Sequence, residues 1–280
     1  MARLKSAATP LLDRLVHGNL ILVVVGLGIY ANSLTGPFIY DDRSAIVENE
    51  AIRQLWPPLW LTRPLNPEIG LDSRPVVSLT LALNYAVGQL DARGYHLVNI
   101  SVHVACSLVL FALLRTTLAN VRLPVGVQRS SNILALVCAL LWLTHPIQTQ
   151  SVNYITQRSE SIMGLFYLLV AFCTLRGIGD GRRRWYVAAV VCCALGMASK
   201  EVMVTAPAMV LFYDRIFCAR SWEEVWRRRW GLYCGLLATW ILLAALVFRG
   251  AHGTSAGFSS GIAPQEYALN QCIAILDYLR

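Results

Sequence analysis

The sequence predicts an all-α, polytopic membrane helical bundle with an amphipathic helix in its first outer loop. Three observations carry that expectation. Hydrophobic residues make up 56% of the chain and charged residues only 14%, against roughly a quarter charged in soluble domains. Apolar runs long enough to cross a bilayer recur along the 280 residues, enough for about seven or eight spans of ~20 residues. Arginines crowd into alternate connecting loops, as in segments retained on the inner side. The net charge of +8 therefore reads as membrane orientation, with membrane lipid as the surrounding partner and no nucleic acid.

Taken in order, Arg3, Lys5 and Arg14 precede the first apolar run. That resembles a signal peptide, with Ala31-Asn32-Ser33 as a weak cleavage site. The charge-free stretch from Leu20 to Tyr40 is long enough to span, so an uncleaved first helix with an inner N-terminus is expected. Residues 41–90 form the first outer loop. Its Trp56, Pro57, Pro58 and Trp60 suit a membrane interface. Pro75 to Leu90 is apolar but short, and it carries Ser78, Thr80, Asn84 and Gln89.

Later spans are expected over 96–114, 133–147, 161–175, 185–199, 202–217 and 230–248, with another starting near Tyr267. If Pro75–Leu90 does not cross, 15 of the 24 Lys and Arg residues fall in the inner segments, every one of which is basic. If it crosses, the later clusters fall outside. The bias places Pro75–Leu90 along the outer surface or dipping into it.

Several spans are short. Fifteen residues of helix reach only ~22 Å against a hydrocarbon core of ~30 Å. The helices are expected to continue into the polar flanks after Leu143 and Ala198. The eight cysteines lie in or beside apolar runs without CxxC spacing and read as small apolar residues. The stretch 249–265 is rich in Gly and Ser and reads as an outer loop.

On this topology the unusual polar residues collect on the outer side: Asp41-Asp42, Arg63, Arg74, His145, Arg158, Glu160, Lys200-Glu201, Arg249 and His252. A bare membrane scaffold has no need of so many ionisable groups at one depth. Each has a bland and a chemical reading. Asp41-Asp42 is a solvated helix cap, or a general base for an attacking hydroxyl with the second carboxylate free to hold a divalent cation. That cation is the one cofactor left open, and no metal site is assigned. Lys200-Glu201 is an ion pair locking two spans, or supplies a lysine to a phosphate oxygen. Arg158 is neutralised by Glu160, or grips a phosphate bidentately. His145, before Pro146, reads as a buried hydrogen-bonded histidine at a helix end. His96 and His103 lie seven apart and, with no third ligand in evidence, read as packing or hydrogen-bonding residues. Tyr213-Asp214-Arg215 reads as an anchor on the inner side. Nucleotide-loop, zinc-protease and serine-hydrolase motifs are missing from the sequence. A site on the outer side has no ready nucleotide supply, so a donor resident in the membrane is expected.

Five motifs, in order, carry a resemblance: YDDRSAIVEN, RPVVSLTLALNY, YHLVNISVHVACSLVL, THPIQTQSVNYITQRSE and MASKEVMVTAPAMVLFYD. From Tyr40 to Asp214 the chain resembles the transmembrane and tetratricopeptide-repeat protein O-mannosyltransferases and their bacterial relatives, membrane glycosyltransferases of the C superfamily. The resemblance implies a polyprenyl- or dolichyl-phosphate-linked sugar as donor and a Ser/Thr hydroxyl of a protein as acceptor. It implies that Asp41 and Asp42 serve the acceptor, and that Arg158, Lys200 and Arg249 face the donor phosphate. Arg74, His145, Glu160 and Glu201 then take supporting positions. It implies chemistry on the periplasmic or luminal side of a bacterial inner or endoplasmic reticulum membrane. The QTQ after His145-Pro146 replaces the more acidic version expected there. The family continues through further spans into a tetratricopeptide-repeat tail, so residues 1–280 are expected to be one integral membrane domain cut from a longer protein. Two other functions fit an apolar bundle: a transporter or flippase of lipid-linked sugar, which calls for ionisable groups near mid-membrane, and a non-catalytic scaffold.

Overall fold

The computed structural model describes residues 17–58, 74–120, 122–249 and 264–278, and among these every regular element is helical. Trp60, Arg63, His252 and the basic residues before His17 lie outside the described residues. Among the described residues, nine helices of eight residues or more organise the fold: α1 (His17–Thr35), α2 (Pro75–Gly88), α3 (Ala92–Leu118), α4 (Ser131–Leu143), α5 (Arg158–Asp180), α6 (Arg183–Met197), α7 (Ala206–Tyr213), α8 (Trp222–Arg249) and α9 (Pro264–Tyr278).

Four helical segments are long and apolar enough to cross a membrane: His17–Thr35, Ala92–Leu118, Ile155–Asp180 and Trp222–Phe248. A fifth is the bent pair Ser131–Leu143 and Pro146–Asn153, which turns by 50°. The chain is a multi-pass membrane protein. α6 and the stretch Glu201–Cys218 are shorter but run the same depth, since α6 begins beside the C-terminus of α5 and ends beside its N-terminus.

The expected boundaries shift where local chemistry demands it. α1 tightens into a 3-10 turn over Ala31–Thr35 and stops at Gly36, before Pro37, instead of reaching Tyr40. α4 stops at Leu143, because Pro146 cannot continue its hydrogen bonding. α5 does reach into its flank, starting at Arg158 behind a 3-10 turn from Ile155. α6 does not. The Gly196 carbonyl accepts from both Ser199 and Lys200 N–H (2.9 and 3.1 Å), which folds the chain over at the helix end.

Close helix crossings rest on glycines. A Cβ on Gly26 would sit 2.6 Å from Val104, one on Gly196 2.7 Å from Met203, and one on Gly235 2.8 Å from Val190. Such contacts let backbones approach where lipid offers no hydrophobic drive to association. One core joins α1, α3 and α4 through Leu22, Phe111, Ala135, Ala139 and Leu143. Another joins α5 to α8 through Val170, Cys193, Met203, Val210 and Leu236.

The two ends of the bundle differ. At one, Arg122 donates to the carbonyls of Cys218 and Ala219, Thr117 bonds Tyr213, and Arg229 and Tyr233 meet the buried Asp214. The expected anchor is thus a buried salt bridge. The arginine clusters at the C-termini of α3 and α5 and the N-termini of α6 and α8 all belong to this end. The opposite end holds a third core of Ala45, Ile46, Ile52, Val77, Leu81, Tyr95 and Ile155, capped by α2. Both termini of α2 sit there: Val76 N–H donates to Ala198 O (3.2 Å), and Asn84 donates to Gly94 O (3.1 Å). α2 therefore lies across the bundle end and does not traverse it.

Candidate functional site

At the α2 end, four separate stretches bring charged residues together. The first is the turn after Pro37. Tyr40 takes a left-handed conformation (φ 44°) and sets its ring edge-on to Tyr154. The Asp41 N–H donates to the Tyr154 hydroxyl (3.0 Å). Burial pushes the Tyr154 phenol up, so this hydroxyl keeps its proton.

The adjacent aspartates have opposite fates. Asp42 is fully buried. Its Oδ1 accepts from the Thr156 N–H (2.9 Å) and hydroxyl (2.6 Å), and its Oδ2 accepts from Ile39 N–H (3.2 Å). Asp41 is exposed. The pair therefore presents one available carboxylate, not two, to an acceptor or a cation.

Arg158 is the largest fully buried side chain. Its Nε donates to Asn99 Oδ1 (2.7 Å), Nη1 to Asn84 Oδ1 (2.7 Å) and Nη2 to Tyr95 O (2.9 Å). Nη1 also reaches the Thr80 carbonyl (3.3 Å), and the guanidinium lies over the Tyr95 ring. Glu160 does not neutralise it; Asp42 is the carboxylate whose charge acts on it. All three nitrogens are used in binding α2, the start of α3 and the start of α5 together. A buried fork with neutral oxygens on several sides suits Arg and not Lys.

Lys200 and Glu201 do not pair with each other, as their adjacency predicted. Lys200 sits in extended backbone (φ −163°), which turns neighbouring side chains to opposite sides. Lys200 Nζ meets Glu160 Oε1, and Glu201 Oε2 accepts from Arg74 Nη2 at 3.3 Å. Lys200 is 18% exposed and Glu160 38%, so this pair sits at the rim. The result is an arc from Arg74 through Glu201 and Lys200 to Glu160. Two residues before Glu160 lies Arg158, and two before that Thr156, the partner of Asp42. Asp41 and Lys200 thus lie at the same end of the bundle, both tied to the stretch Tyr154–Glu160, Asp41 through Tyr154 and Lys200 through Glu160.

His145 is exposed, not buried; its Nδ1 accepts from Ile147 N–H (3.2 Å) and starts the next turn. Arg249 ends α8, and its side chain lies outside what is described. His96 Nε2 pairs with Gly36 O (3.2 Å) and His103 Nε2 with Leu143 O (3.0 Å). Both are hydrogen-bonding residues, in line with the reading of them as packing or hydrogen-bonding side chains. Sequence reading missed Thr156, Tyr154 and Asn99, and marked Asn84 as polar without its partner Arg158. Their signal was a polar residue within or beside an apolar run, which carries no information on its partner.

Against known proteins, residues 72–248 match the family model described as dolichyl-phosphate-mannose-protein mannosyltransferase. The chain is 30% identical over 207 residues to the human protein O-mannosyl-transferase TMTC2, covering 70% of this chain and 23% of that protein. Identity to the Xenopus laevis tmtc2 protein is 32% over 207 residues, with the same coverage. Against human TMTC4 it is 27% over 231 residues, covering 75% of this chain and 30% of that one. The chain therefore spans under a third of the length of these relatives. No solved structure matches it significantly.

Proposed function

Because this chain belongs to the dolichyl-phosphate-mannose-protein mannosyltransferase family, we propose that it transfers a hexose, mannose first among candidates, from a polyprenyl- or dolichyl-phosphate donor to a Ser/Thr hydroxyl of a protein. Asp41 is the general base. It orients the acceptor hydroxyl and takes its proton as the oxygen attacks the anomeric carbon in line. The bond from that carbon to the phosphate oxygen breaks, with inversion, and the lipid phosphate leaves. Lys200 stabilises the charge on the departing phosphate, taking a phosphate oxygen in place of Glu160. Arg74 and Glu201 hold the Lys200 turn against α2. Asp42 and Arg158 are positioning residues, one fixing the loop that carries Asp41, the other fixing α2. The site is on the periplasmic or luminal side, and the arginine-rich end is cytoplasmic.

The observation that carries this reading is the exposed Asp41 carboxylate beside a buried twin, at the same end of the bundle as Lys200. Ionisable groups gathered at helix ends also favour a transferase over a transporter, which would place them near the middle of the bilayer. The test is transfer of radiolabelled mannose from dolichyl phosphate mannose to an acceptor peptide by the full-length protein in membranes. Loss of transfer in Asp41→Asn, with normal folding, is expected; wild-type rates in that variant would remove the base assignment.

A further inference from the structure

At the arginine-rich end, α6 and α8 part to form an open groove of about 510 Å³, within the ~300–1,000 Å³ of ligand clefts. The groove has a cause in the packing. Deeper in the bundle the two helices touch where Val190 meets Gly235. Nearer the end, the Tyr186 ring leans away onto α5, against Gly177, where a Cβ would come within 2.5 Å of it. α8 offers nothing in its place, because Gly231 faces open space on the groove.

The lining is divided. Arg183 and Arg228 bring positive charge to it, and Val187, Val191 and Leu232 bring apolar surface. The charges are not balanced. Arg229, 6% exposed, is committed to Asp214 (3.2 Å) and, at 4.0 Å, to Glu224. Arg228, 75% exposed, reaches Glu224 at 3.6 Å. Arg183 has no acidic partner among the described residues, and Asp180 is taken by Arg176 and Trp185. Trp230, 64% exposed on the groove, is the side chain that settles at headgroup depth. The site is remote from Lys200: the 15 residues of α6 separate them by about 22 Å.

We infer that this groove holds an anionic glycerophospholipid, its phosphate between Arg183 and Arg228 and an acyl chain along Val187, Val191 and Leu232. A free phosphate would use the arginines and leave the apolar walls idle. A zwitterionic lipid would fill the walls and leave the positive charge uncompensated.

Native mass spectrometry and thermal unfolding of the purified full-length protein test this in three arms: phosphatidylglycerol, phosphatidylcholine and inorganic phosphate. Phosphatidylglycerol should bind at least about tenfold tighter than phosphatidylcholine and raise Tm. The double variant Arg183→Gln/Arg228→Gln should lose that preference. Gly231→Leu, whose Cβ enters open space with nothing within 4 Å, occupies the groove without changing charge and should lose the lipid while the lipid-free Tm stays unchanged. Equal binding of the two lipids, or undiminished phosphatidylglycerol binding in Gly231→Leu, would overturn the site. A Tm rise reproduced by inorganic phosphate alone would overturn its assignment to a lipid.

Discussion

Asp42 and Thr156 are 114 residues apart, and one carboxylate oxygen of Asp42 accepts both the N–H and the hydroxyl of Thr156. This double bond staples the loop after α1 to the turn that opens α5. It also separates two neighbouring acids by position, since Asp42 is buried with both oxygens engaged, while Asp41 beside it is exposed.

Asp41→Asn and Asp42→Asn should therefore fail differently. Asp41→Asn should lower transfer by about 10²–10⁴-fold with thermal stability within error of wild type. Asp42→Asn keeps one acceptor but turns an amide toward Ile39 N–H, leaving a buried donor facing a donor. It should cost about 1–3 kcal/mol in stability, read by thermal unfolding in detergent. Equal stability of the two variants would refute the division of roles.

Arg158→Lys retains the charge but not the fork. A lysine cannot serve Asn99, Asn84 and Tyr95 O together, so at least one buried acceptor is orphaned. About 3–5 kcal/mol of destabilisation is expected, with faster proteolysis around α2. A lysine variant as stable as wild type would show that the guanidinium geometry is dispensable.

Lys200 and Glu160 can be exchanged. Lys200→Glu alone places two carboxylates together and should destabilise the rim; adding Glu160→Lys should restore Tm. Transfer should stay at least about tenfold down in the exchanged protein, because the cation now projects from α5. Full recovery of activity would leave Lys200 as a lock only.

Two glycines on α1 give an internal control. Gly26→Ala should cost about 1–3 kcal/mol, because its Cβ comes 2.6 Å from Val104. Gly28→Ala, with nothing within 4 Å, should be neutral or stabilising by up to about 1 kcal/mol. Urea or thermal unfolding of both variants in one detergent separates them.

What could be read from the sequence was what depends on local composition. Apolar runs gave the helices, and the arginine bias led to the expectation that Pro75–Leu90 does not cross, while the structure has α2 lying over the end of the bundle. The pairing of charges was not legible. Lys200 and Glu201 look like partners because they are neighbours, but extended backbone turns them apart, toward Glu160 and Arg74. Arg158 looked like a phosphate ligand because nothing local shows that Asn84 and Asn99 will surround it. The helix break at Leu143 has a local cause in Pro146, and the one at Met197 in the Gly196 carbonyl, which takes the N–H groups of Ser199 and Lys200. The chemical distinction between Asp41 and Asp42 rests on a threonine more than a hundred positions later.

The environment of Arg158 has a bearing on biosynthesis. Its oxygen partners on α2 and α3 precede it in the chain by 59 to 78 residues. Those acceptors leave the ribosome first. When the α5 segment reaches the insertion machinery, the acceptors for its guanidinium have already been made. The bare cation need not be exposed to hydrocarbon, and α5 has a reason to join the nascent bundle as soon as it emerges.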